Sequence, residues 1–253
     1  MTILAAVGIA VAAAVAVGGL AILLRRTQFG SRRERWHDLG VTYAGAVLAA
    51  LFLVCLALSV VISWGRIDAA DRHVKAESNA LTRMWLAAGS LERRDRLMVQ
   101  QGISGYIVAT TQEEWPRLAH GEVLPEAEQR MERLHSTLLA AATPTPATQA
   151  ARTEMLTAFR DALSARQDRI DDATSTFPSG LLACLIVCGV AVIAHALLAG
   201  VPHSPVSLTP LLIQTALVAG AVFVVFAIRR PFGGAIEISP EHLQIALARM
   251  RIG

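Results

Sequence analysis

The chain has 253 residues, 54% of them hydrophobic, with a mean hydropathy of +0.48 and a formal net charge of +3. Water-soluble domains are less apolar than this, so a purely soluble enzyme is disfavoured and a membrane protein is indicated. The small positive balance requires no basic face of the kind that grips phosphates, so no nucleic-acid partner is expected.

Four stretches carry no Asp, Glu, Lys or Arg: Ile3 to Leu24, Val41 to Trp64, Gly180 to Gly200, and Ser207 to Ile228. A hydrocarbon core of roughly 30 Å needs about 20 helical residues at 1.5 Å each, and every stretch is long enough. A charged side chain at a span centre costs about 2.5–3.5 kcal/mol, which accounts for the gaps in the charge pattern. The first stretch reads as a retained helix rather than a cleaved signal. No Lys or Arg precedes it, and Arg25 and Arg26 follow it directly. The loop RRTQFGSRRER carries five arginines, which marks it as cytosolic on the positive-inside rule and suits it to anionic headgroups. In the second span Gly45 with Ala49, and Ala46 with Ala50, form small-residue pairs one turn apart, suited to close helix packing.

Beyond Trp64 the chain turns polar without a strong helix breaker; Gly65 is the only soft point, costing about 1 kcal/mol against Ala. Ile67, Ala70, Val74, Leu81, Trp85 and Ala88 fall at helical spacing. The second span is therefore expected to continue into water as a stem. A second soluble helix is predicted from Leu91 to about Thr110. EEWPRLAHGEVLP, residues 113–125, reads as a connector. A third helix follows, with Met131, Leu134 and Leu138 on one side. ATPTPATQ, residues 142–149, reads as a linker, because the residue before each Pro is pushed out of the helical region. A fourth helix is expected from about Thr148 to Thr174, with Leu156, Phe159, Leu163 and Ile170 at helical spacing. After the last span, Pro231, Gly233 and Gly234 stop the helix, and Ser239 and Pro240 start a final one.

The predicted fold is all-α: four transmembrane helices, a four-helix soluble domain between the second and third, and a short C-terminal helix. The predicted divisions are residues 1–64 (two spans and the Arg-rich loop), 65–179 (soluble domain), 180–228 (two spans) and 229–253 (tail helix).

Three stretches together resemble the bestrophin-like (DUF4239) family of bacterial membrane proteins: HDLGVTYAG followed by KAESNAL; Tyr106 followed by Glu114-Trp115-Pro116; and RRPFGGAIEISPEHL. The matching positions are Glu77, Asn79, Trp115, Pro116, Pro231, Phe232 and Gly234; Arg229 departs from the pattern, where the family often has Asp. The resemblance implies an oligomeric anion channel whose second span lines the pore and whose stem extends it. It also implies a cytosolic soluble part, whereas the Arg-rich loop argues for the opposite orientation. Leu51, Phe52 and Val54 are the candidate hydrophobic neck, closing by dewetting. The implied setting is a bacterial inner membrane, crossed several times, with the bilayer, further copies of the chain and anions as partners. The other reading is a sensory or scaffolding protein acting through a partner, since a helical domain between two spans also builds sensors.

Cys184, Cys188 and His195 share one helix face. Without a fourth ligand they are expected to pack as ordinary span residues, and neither metal nor cofactor is expected. Gln214 and Thr215 in the last span are expected to bond a neighbouring helix. Glu113, Glu114, Asp171 and Asp172 come with no nucleophile, phosphate loop or ligand set. They read as solvated, and no enzymatic activity is expected.

Overall fold

The computed structural model describes Ala16 and residues 38–199, 209–233 and 238–252. The first predicted span apart from Ala16, the Arg-rich loop and Gly234 lie outside the described residues. Eight α-helices carry the described chain: α1 (Asp38–Ala88), α2 (Arg93–Ala109), α3 (Trp115–Leu118), α4 (Pro125–Ala140), α5 (Pro146–Thr174), α6 (Ser179–Ala199), α7 (Thr209–Ile228) and α8 (Glu241–Ile252). A π-helical turn, Thr110–Glu114, joins α2 to α3. There is no strand among the described residues. Three apolar stretches, in α1, α6 and α7, are long and apolar enough to cross a membrane.

Helix α1 runs 51 residues without interruption, so the second span and the stem are one rod. Gly65 does not end it: a single Gly costs less than the hydrogen bonds and packing on either side supply. By contrast, Ser175 adopts an extended backbone (ψ 137°) ahead of Pro178, which separates α5 from α6.

The chain divides into two compact units. The first comprises residues 1–64 and 176–229. Phe52 and Cys55 of α1 meet Leu185, Cys188 and Val192 of α6 and Val218 and Val225 of α7 in its core. The polar Ser59 and Thr215 are buried there, and each hydroxyl donates to a carbonyl of its own helix, Cys55 O at 2.7 Å and Leu211 O at 2.8 Å. Thr215 thus bonds within α7 rather than across to a neighbour.

The second unit comprises residues 65–175 with 230–253, so the tail packs with the stem domain. Leu243, Ala246 and Met250 of α8 join a core built from α1, α2, α4 and α5. The stem stripe is buried as expected at Ala70, Val74, Leu81 and Ala88, with Ile67 and Trp85 partly covered. Met131, Leu134 and Leu138 of α4 are also fully covered. Each such aliphatic side chain contributes about 1.5–3 kcal/mol on leaving water. Gly102 of α2 lets α4 approach: a Cβ there would sit 3.0 Å from Leu134 Cδ1. Helix α5 begins two residues earlier than predicted. Thr145 closes a capping box with Thr148, and Pro146 sits where its missing N–H costs nothing. Leu163 faces outward at 46% exposure, and the buried face of α5 is instead Met155, Ala158, Ala162 and Ala165. Those alanines leave room for the large side chains described next.

Candidate functional site

On α1 the inward positions Ile67, Ala70, Val74, Glu77, Leu81, Met84 and Ala88 recur at alternating spacings of three and four. Glu77 is the one charge in the stripe and is wholly buried. On α5 the run Met155, Ala158, Ala162 and Ala165 ends in the same rhythm at Arg169, also wholly buried. The π-turn supplies the third member. Its wider ring leaves Glu113 outside and turns Glu114 inward, directly before Trp115. The expectation that Glu114 is solvated is thereby corrected: its side chain has no exposure, and it is held by two arginines.

The four charges interlock. Arg166 grips Glu114 through both oxygens, Nη1 to Oε2 at 2.7 Å and Nη2 to Oε1 at 2.8 Å. Arg169 donates Nε to Glu77 Oε2 at 2.8 Å, and its Nη2 reaches both Glu77 Oε1 (3.4 Å) and Glu114 Oε2 (3.3 Å). The Tyr106 hydroxyl donates to Glu77 Oε1 and accepts from Arg166 Nη1 at 3.4 Å. Two carboxylates and two guanidinium groups sum to zero charge, which makes the burial tolerable. Arg169 Nη1 and the Thr110 hydroxyl are buried without a protein partner. Burial works against the charge on Arg169, but the neighbouring Glu77 carboxylate, with Glu114, outweighs it and raises the guanidinium further. Burial first, and the Glu77 charge next, push the Tyr106 phenol well above its ordinary range, so it stays a donor.

The network extends to the tail through Trp115. The Arg169 guanidinium lies 5.5 Å from the centre of the Trp115 ring. That ring meets Phe232 edge-on at 5.4 Å, and its Nε1 donates to Ile238 O at 3.2 Å. Gly233 lies so close to α3 that a Cβ would fall 2.5 Å from Ala119 O. Further along the stem, Ser78 donates to His242 O at 2.9 Å, and His242 Nε2 lies 3.2 Å from Asp71.

Several motif positions, distant in sequence, thus share one site: Glu77, Trp115 and Phe232 are buried in it. Pro231 is buried too, and its carbonyl accepts from Ile238 N at 3.0 Å. Pro116 is exposed in the first turn of α3, and Asn79 is exposed on the stem. Arg166 and Arg169 were legible in sequence only as basic residues; their register within an apolar stripe was the signal that finds them. The arrangement offers no nucleophile and no open metal position. What it does is clamp α1, the π-turn, α5 and the tail together.

In the first unit, Leu51 and Val54 are about half exposed, whereas Phe52 is buried in the helix cluster. Gln214 borders an apolar groove of about 840 Å³ with Phe52, Leu53 and Val192. His195 lies against Gly45, three helical turns along α6 from Cys184.

The family model for the bestrophin-like domain matches residues 10–243, which takes in all three motif stretches. No curated protein and no solved structure matches the chain.

Proposed function

The chain belongs to the bestrophin-like family, and we propose that it is an oligomeric anion channel of a bacterial inner membrane, without catalytic activity, in which α1 lines the conduction path. The observation that supports this reading is an apolar stripe on α1 that the other described helices leave exposed. Val47, Leu51, Val54, Leu58 and Val61 recur at spacings of four and three, each at least 48% exposed. A strict repeat of that kind suits a helix that faces copies of itself. In a ring of copies, Leu51 and Val54 form the narrow apolar collar, which closes by losing its water. Phe52, turned the other way, braces the collar against α6 and α7. In the second unit the exposed stem positions include Asp68, Arg72, Lys75, Asn79 and Arg83, which gives the stem a polar, water-facing side.

Purified protein in planar bilayers tests the reading. Under a chloride gradient the current should reverse near the chloride equilibrium potential, and Leu51→Ala or Val54→Ala should raise it by weakening the collar. Silence from both wild type and variants across salt and pH contradicts conduction. Crosslinking that recovers a stable heteromeric partner and no homo-oligomer favours a scaffolding role instead.

A further inference from the structure

The first unit gathers every cysteine of the chain into one place. The sequence sets Cys184 and Cys188 four residues apart on α6, and the fold brings Cys55 of α1 to them. Cys55 Sγ lies 3.4 Å from Cys184 Sγ, and all three sulfurs lie within 4.8 Å of one another. Cys55 and Cys188 are buried, while Cys184 opens outward from the helix pair. The surroundings are apolar: Phe52, Leu185 and Val192 share the same cluster. No His, Asp or Glu joins the group among the described residues.

We infer that Cys55, Cys184 and Cys188 form a three-sulfur site for a soft monovalent cation, Cu(I). Three sulfurs placed about 2.3 Å from a central ion in a plane stand roughly 4 Å apart, and the observed triangle needs only side-chain adjustments of ångström size to reach that. Softness selects thiolate-loving ions over the hard cations that take oxygen ligands. The ligand count then selects among the soft ones. Zinc in a structural site takes four ligands, and the fourth is missing here, whereas three sulfurs complete a trigonal Cu(I) centre. No electron is transferred: Cu(I) enters and stays Cu(I), and each thiol that ligates as a thiolate releases its proton to solvent. Cys184 is the one member of the group that the surrounding helices leave uncovered. The bound ion would tie α1 to α6 beside Phe52. The site does not depend on conduction.

The test is an anaerobic competition between the reduced full-length protein, in nanodiscs, and a chromophoric Cu(I) chelator. One Cu(I) per chain should be retained, with X-ray absorption showing sulfur ligands only, at about 2.3 Å. Cys55→Ser, Cys184→Ser and Cys188→Ser should each lower the affinity at least tenfold with unchanged helicity and particle mass. Zn(II) should bind wild type no more tightly than Cys55→Ser. Failure to retain Cu(I), nitrogen or oxygen ligands in the spectrum, or retention that Cys55→Ser leaves unchanged would overturn the assignment. If the serine variants lose helicity, the wild-type spectrum alone decides by its ligand type and number.

Discussion

Replacing Arg169 with Met separates the charge network from the apolar packing around it. Methionine is unbranched and flexible and fills much of the space of the arginine stem, but it removes the three donations to Glu77 and Glu114. Glu114 keeps its two-pronged grip from Arg166. Glu77 keeps only the Tyr106 hydroxyl and is left as a buried, uncompensated charge. Breaking a buried pair in this way costs about 3–5 kcal/mol. On a unit of about 135 residues, that lowers the melting midpoint by about 10–20 °C. The comparison is Arg83→Met, which removes an ion pair to Asp161 and Glu154 whose partners are about half exposed. It should cost about 1 kcal/mol or less. Helicity followed by circular dichroism on the full chain in detergent, against temperature, measures both. Adding Glu77→Gln to Arg169→Met removes the stranded charge while leaving an acceptor for Tyr106, so the double variant should recover about 2 kcal/mol. If Arg169→Met melts no lower than Arg83→Met, or if the second substitution recovers nothing, the clamp is not what holds this unit together.

Tyr106 carries an alkaline signature. Its folded value is raised, so its contribution is intact below the ordinary tyrosine range near 10 and is lost as pH climbs toward the folded value. Wild type should lose stability above about pH 10, and Tyr106→Phe should flatten that limb while costing about 1.5–3 kcal/mol at neutral pH. Absorbance of the phenolate, read alongside unfolding, follows both. Asp71 shifts the other way. Its hydrogen bond from Lys75, and then the Lys75 charge, hold it below its usual value despite partial burial. Its contribution is present above the ordinary carboxylate value and disappears as pH falls through the lowered one. Asp71→Asn should therefore differ from wild type by about 1 kcal/mol or less at pH 7 and not at all at strongly acid pH; a gap that widens on acidification contradicts the assignment. Gly233→Ala drives a methyl into Ala119 O and should cost about 1–3 kcal/mol, loosening the tail first. Hydrogen exchange should show α8 opening more readily while α4 stays protected.

Three of the four predicted rods, those among the described residues, were legible in the sequence, because bilayer thickness and helical rise convert directly into a length of apolar chain. The stem was legible too: Ile67 through Ala88 repeat at helical spacing, and Gly65 is too weak a breaker to stop the helix that Trp64 hands on. What stayed hidden is the set of contacts between segments far apart in sequence. Glu114 looked solvated because it stands next to Glu113 in a polar stretch. Only a π-turn, which no residue preference announces, points one of the two inward. Arg169 was legible only as a basic residue, because its alanine neighbours carry a faint apolar signal, and Leu163, the more obvious hydrophobe, turned out to face outward. Trp115 and Phe232 were legible only as family-motif positions and Gly233 as a helix stop, yet they dock the tail on the same network. Cys55 was absent from the face that Cys184 and Cys188 define, since a helix wheel cannot show what a second helix brings.

The proposed pore-lining role of α1 requires several copies around one axis, so the mass of the purified protein in nanodiscs is the most direct measurement. Light scattering that gives a single closed ring, a fixed whole-number multiple of the 27.0 kDa chain, is the predicted result, and Leu51→Arg should shrink or scatter that population. A monodisperse monomer at every lipid composition tried, with the helical content intact, would contradict a path lined by Leu51 and Val54 from neighbouring copies.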